Sequence, residues 1–125
     1  MAFTWRPEER VRRRPDFERA YKHGMKCPGR FMTVFLVKND LPVSRLGVAA
    51  SRKLGGAVTR NRAKRRVREV FRLHKIQPGL DVIVIPRREM LQAEFASLEK
   101  DYQSIVSRRA SRALTRETPG ESPGR

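Results

Sequence analysis

Ala57-Val58-Thr59-Arg60-Asn61-Arg62-Ala63-Lys64-Arg65-Arg66-Val67-Arg68-Glu69-Val70-Phe71-Arg72-Leu73-His74 is the stretch from which the rest of the chain is read. Gly55-Gly56 precede it, and no proline interrupts it. At about 100° per residue, Ala63, Val67, Val70, Phe71 and His74 gather into one stripe roughly 100° wide, which predicts a helix from Ala57 to about His74. The remaining arc holds Asn61, Arg62, Lys64, Arg65, Arg66, Arg68 and Arg72, with Glu69 its only acid. A helix docked by its apolar stripe must therefore turn a dense cationic surface outward. A solvated helix face usually interleaves both signs, because opposite charges four apart support a helix and like charges weaken it. One acid among so many cations favours a polyanionic partner over plain solvation.

Strand-forming runs lie on either side of this helix. Leu80–Pro86 contains Val82-Ile83-Val84-Ile85, a β-branched run with no polar face, which predicts a strand buried on both sides. Arg45–Ser51 alternates Leu46, Val48 and Ala50 against Gly47 and Ala49. Residues 31–37 put Thr33, Phe35 and Val37 on one face and Met32, Val34 and Leu36 on the other. Asn39, Asp40 and Pro42 mark the turn between these two strands, and Met25–Cys27 is long enough for one further short strand.

A first helix is expected from Pro15 to the stop at Gly24, with Phe17 and Tyr21 on one face. A last helix is expected from about Gln92 to Ala110, carrying Phe95, Leu98, Tyr102, Ile105 and Val106 at helical spacing. The fold class is α+β: a single-domain α/β sandwich in the order α-β-β-β-α-β-α. Residues 1–13 read as a mobile basic arm with Trp5 its one large anchor, residues 14–110 as the domain, and residues 111–125 as a disordered tail.

Charge narrows the function. The 29 Lys and Arg outnumber the 13 Asp and Glu, a net +16 over 125 residues, which makes nucleic acid the first partner to consider. No apolar run approaches the roughly 20 residues that span a bilayer. A basic membrane-surface protein would need a broad apolar face left uncovered, whereas here short apolar elements can bury one another. Cys27 is the only cysteine, which excludes an intrachain disulfide and suits a reducing cytoplasm. With one cysteine and only His23 and His74, a zinc site is not expected, and His74 falls in the apolar stripe as a packed, hydrogen-bonded ring. A protein-based nuclease needs paired carboxylates or histidines in a cleft, but the acids are scattered from Glu8 to Asp101. No catalytic residue is expected. Phe17, Tyr21 and Phe35 read on spacing alone as core aromatics. On the residues alone, a ribosomal protein or an RNA chaperone without a nuclease role fits as well as any other RNA-binding domain.

Three spaced blocks are more specific. Asp16-Phe17-Glu18-Arg19-Ala20-Tyr21-Lys22-His23-Gly24, then Ser51-Arg52-Lys53-Leu54-Gly55, then Arg60-Asn61-Arg62 with Lys64-Arg65 resemble the protein subunit of bacterial ribonuclease P, over roughly residues 11–110. Gly56 departs from the asparagine frequent in the family at the start of the basic helix. Arg14 is likewise a poor cap for the first helix, so capping at both is weaker.

The resemblance implies the protein subunit of a ribonucleoprotein endonuclease that removes the 5′ leader of precursor tRNA. In that family the RNA performs hydrolysis with Mg2+ held mainly by RNA phosphates, and the protein raises affinity for substrate and metal. By position, Arg60, Asn61, Arg62, Lys64, Arg65 and Arg68 would face the catalytic RNA, with Arg52 and Lys53 as further candidates. Phe17, Tyr21 and Phe35 would line a cleft for the single-stranded leader. The resemblance also implies a left-handed crossover from residues 45–51 through the basic helix to residues 80–86, where handedness statistics favour a right-handed one. It implies no stable protein partner and no membrane.

Overall fold

A computed structural model describes residues 7–115. The elements are α1 (Arg14–His23), β1 (Met25–Pro28), β2 (Met32–Lys38), β3 (Arg45–Val48), α2 (Ala57–Leu73), β4 (Leu80–Pro86) and α3 (Phe95–Thr115). Short 3-10 turns stand at Pro7–Glu9, Arg52–Leu54 and Arg88–Gln92. The order is the one expected, and β1 forms at the short Met25–Cys27 segment.

The strands build one sheet in the order β1-β2-β4-β3. β2 is antiparallel to both β1 and β4, and β3 runs parallel to β4. The parallel pair makes α2 the crossover helix of a β-α-β unit. β4 is central, which is why its sequence is apolar on both faces. Alternation sends Met32, Val34, Leu36, Leu46, Val82 and Val84 into the main core beneath α2 and α3. Phe35, Val37 and Ile83 face the other way, into a smaller core with Val11, Ala20 and Phe17 under α1. The α2 stripe docks as its spacing predicts, with Ala63, Val67, Val70 and Phe71 all buried. α3 adds Leu98, Tyr102, Ile105 and Val106.

Several boundaries differ, each for a local reason. The domain begins before residue 14: Val11 is buried and its N–H donates to the Leu46 carbonyl at 2.9 Å, so residues 10–11 cover the free edge of β3. Lys75 Nζ reaches Glu9 Oε2 at 2.7 Å and fixes the turn before it. The expected mobile arm is therefore anchored from residue 7 onward, while Trp5 lies outside the described residues. α1 starts at Arg14, with Arg13 at the N-cap position making no side-chain cap and Pro15 in the first turn. β3 stops at Val48 because Ser51 turns away to cap the next turn, its Oγ accepting from the Lys53 N–H at 3.3 Å. α3 starts at Phe95, since residues 88–92 form a turn of their own, and it continues through Thr115. Ala113 is buried, so residues 111–115 belong to the domain and not to the tail; residues 116–125 lie outside the described ones.

Candidate nucleic-acid interface

The outer face of α2 is the first surface. Asn61, Arg62, Lys64 and Arg65 are exposed, and none of the three cations has an acidic partner within 4.0 Å among the described residues. Arg60 is half-buried, and its Nε is enclosed without a hydrogen-bond partner among the described residues. Arg68 is also half-buried and already engaged within the fold. Two other basic residues of the arc are structural. Arg72 pairs with Glu69 one turn earlier. Arg66 donates from Nη1 to the Met90 carbonyl at 2.7 Å and from Nη2 to the Ala93 carbonyl at 2.6 Å, tying α2 to the turn before α3. Burial, and then repulsion from Arg62, lower the Arg66 pKa. His74 behaves as its place in the stripe predicts: Nε2 lies 2.7 Å from Glu99 Oε2 and Nδ1 lies 3.0 Å from Gln103 Nε2.

The second surface lies on the opposite face of the sheet, where α1 covers only part of β2 and β4. Phe17, Tyr21 and Phe35 meet there. The Tyr21 and Phe35 rings are edge to face with centroids 5.2 Å apart, and Phe17 and Tyr21 are 6.5 Å apart. Phe35 is 9% exposed and forms the floor, while Tyr21 is 42% exposed and forms the wall. Phe35 thus belongs to the smaller core with Phe17 packed against it, while Tyr21 is open to solvent. Partial burial raises the Tyr21 pKa, so its phenol stays neutral at physiological pH. Gly47 lets α1 come this close. A Cβ there would meet Phe17 Cζ, Ile83 Cδ1 and Val11 Cβ, all at 2.9 Å, so any side chain would push α1 off the sheet.

A buried ion pair holds the far end of α1. Asp81, 1% exposed, accepts from Arg45 Nε at 2.8 Å and Nη2 at 2.7 Å, and from Asn39 Nδ2 at 2.9 Å. Arg45 Nη2 also lies 3.6 Å from Asp16 on α1. Hydrogen bonding to Asp81 raises the Arg45 pKa, keeping its charge fixed. Such a fork fixes orientation more than it adds stability.

The register exposes what spacing along one strand could not. Lys26 is the cross-strand partner of Phe35, which in turn pairs with Ile83. Lys26 is exposed beside the aromatic cleft. Ile85 pairs with Thr33, whose Oγ1 accepts from Arg87 Nη2 at 3.1 Å. Arg52 and Lys53 do not stand on α2 but on the turn before it. Lys53 shares a groove with Ser51, Ile85, Pro86 and Arg88, and its carbonyl accepts from Arg88 Nη2 at 3.1 Å. Among the described residues no three side chains of His, Cys, Asp or Glu converge as a metal site, and no helix is long and apolar enough to cross a membrane.

Comparison with known proteins identifies the family and the fold. The family model Ribonuclease P matches residues 6–116. A ribonuclease P protein component from Thermotoga petrophila is 43% identical over 114 residues, covering 86% of this chain and 97% of that protein. One from Staphylococcus epidermidis is 47% identical over 99 residues, covering 78% and 86%. Among solved structures, the RNase P protein of Thermotoga maritima superposes with a TM-score of 0.73 at 36% identity, over 80% of this chain and 96% of that one. The Staphylococcus aureus protein gives 0.72 at 30% identity, over 86% and 98%. In sequence and in fold alike, the chain belongs to the ribonuclease P protein family.

Proposed function

We propose that this chain, as the protein subunit of ribonuclease P, uses opposite faces of its sheet for two RNAs. The outer face of α2 docks the catalytic RNA through Arg60, Asn61, Arg62, Lys64, Arg65 and the partly buried Arg68, with Arg52 at its margin. The cleft of Phe17, Tyr21 and Phe35 takes the single-stranded 5′ leader of precursor tRNA. The carrying observation is that Arg62, Lys64 and Arg65 are exposed together without counter-ions, although like charges at this spacing weaken a helix. Phosphates relieve that repulsion, and guanidinium forks suit them. Stacking on exposed rings is how proteins hold single-stranded bases without reading a sequence.

In this reading the protein is not itself catalytic. Its carboxylates are scattered, and the most buried one, Asp81, is committed to Arg45. Mg2+ acts through phosphates of the RNA subunit, and the protein raises metal affinity indirectly by holding the RNA and substrate together. A single buried Cys27 fits a reducing cytoplasm.

The test is reconstitution. Catalytic RNA at low magnesium should cleave precursor tRNA at the 5′ site only when this protein is added, and rigorously RNA-free protein should cleave nothing. Cleavage by protein alone would overturn the auxiliary role. Failure to rescue would favour an RNA-binding role outside tRNA maturation.

A further inference from the structure

Beyond the basic arc of α2 and the aromatic cleft, one more charged surface is left without partners. After Asp101, the described part of α3 contains Arg108, Arg109 and Arg112 and no acid. Arg108 and Arg112 are exposed and Arg109 is half-buried, and among the described residues none of the three side chains forms an ion pair or hydrogen bond. Arg108 and Arg112 stand four apart, hence on one face, where like charges weaken a helix. The helix dipole favours cations at a C-terminus, but that effect fades within the last turn. Arg112 stands in that last turn, but Arg108 lies seven residues before the end of α3 at Thr115, outside its reach. Exposed Ser107 and Ser111 flank these arginines and can donate to phosphate oxygens.

Placement decides the partner. α3 and α2 cover the same face of the sheet, and α1 with its cleft covers the other. The end of α3 packs beside the segment that follows α2: Gln77 Nε2 reaches Ser111 Oγ at 3.3 Å, and Gly79 lies beside Leu114. Arg60 lies at the other end of α2. At 1.5 Å per residue, Arg60 stands about 21 Å and Arg65 about 14 Å before His74, so the α3 arginines lie beyond the exposed basic group of α2.

We infer that Arg108 and Arg112 on α3 form a second contact with the phosphate backbone of the catalytic RNA, reached by a part of that RNA lying beyond the end of α2. This rests on the docking of that RNA to α2.

The experiment compares full-length variants by the salt dependence of catalytic-RNA binding. Replacing both arginines, Arg108→Gln with Arg112→Gln, should remove two phosphate contacts and lower the slope of log K against log salt by about 1.8. Over a fourfold rise in salt, the variant then loses roughly tenfold less affinity than the wild type. Ser104→Glu is a second probe. It places a carboxylate one turn before Arg108, where it competes with phosphate for that arginine, and its thermal midpoint is measured beside RNA binding to exclude unfolding. A parallel variant, Arg62→Gln with Arg65→Gln, reports on α2. An unchanged slope in both α3 variants, with a reduced slope in the α2 variant, overturns the α3 contact and leaves the α2 surface standing. Reduced slopes in the α3 variants and in the α2 variant alike support the inference; a reduced slope in the α3 variants alone removes the α2 reading and, with it, the placement of this contact beyond α2. Weaker binding of precursor tRNA alone, with catalytic-RNA binding intact, would also overturn the inference.

Discussion

Tyr21→Leu separates a stacking platform from an ordinary core ring. Tyr21 is 42% exposed and touches Phe35 edge to face at 5.2 Å. Leucine keeps apolar contact with Phe17 and loses the ring pair, which in a buried setting is worth about 0.5–1.5 kcal/mol. With much of this ring in water, the stability loss should sit at the low end, near ~0.5 kcal/mol. One base stacked on the exposed ring contributes about 1–3 kcal/mol. At 1.4 kcal/mol per decade, that is roughly a 5- to 150-fold weaker Kd for precursor tRNA with a long leader. The assay measures Kd of the reconstituted holoenzyme for precursor and for mature tRNA, beside Kd for catalytic RNA and the thermal midpoint of the free protein. Tyr21→Phe, which retains the ring, should stay near wild type. Phe35→Leu should show the reverse balance, since the floor ring is 9% exposed: about 1 kcal/mol of stability lost and a smaller effect on the leader. Equal loss for precursor and mature tRNA, or unfolding of Tyr21→Leu, would refute the leader assignment and return these rings to the core.

Other expectations follow from single contacts. Arg66→Ala removes two short bonds to the Met90 and Ala93 carbonyls, so thermal or urea unfolding should show a loss of about 1–2 kcal/mol, while the salt slope of RNA binding stays unchanged. Gly56→Ser gives α2 the side-chain cap it lacks at a position with open space and an ordinary φ of −74°; a gain of about 0.5–1 kcal/mol in denaturant unfolding is expected. Tyr102 is fully buried, burial raises its pKa far above the usual range, and its hydroxyl meets no hydrogen-bond partner among the described residues. Tyr102→Phe should therefore hold or raise the melting temperature, by up to about 1 kcal/mol of stability; a clear drop would show that the hydroxyl is bound in solution.

Local periodicity made much of this protein legible from its sequence. The α2 stripe of Ala63, Val67, Val70 and Phe71 and the alternation of residues 32–37 specify which side of each element is buried, because side-chain direction repeats every 3.6 or 2 residues whatever lies opposite. The uninterrupted apolar run at 82–85 likewise marks β4 as buried on both faces. The family blocks imply an RNA partner and a leader-binding role for Phe17, Tyr21 and Phe35, which spacing alone reads as core.

Tertiary structure decided what depends on groups far apart in sequence. Arg66 and Arg65 are neighbours in one basic run, yet only the distant carbonyls of Met90 and Ala93 remove Arg66 from the outward surface. Lys26 becomes a cleft residue only through its register opposite Phe35, and Lys53 only through the groove it shares with Ile85. The anchored segment at 7–13 and the long α3 were hidden for the same reason. Val11 is held by the open edge of β3 at Leu46, and Ala113 by a core assembled from the other elements. A sequence carries the periodicity of each element, but register and edge coverage are properties of pairs, and those exist only once the chain has folded.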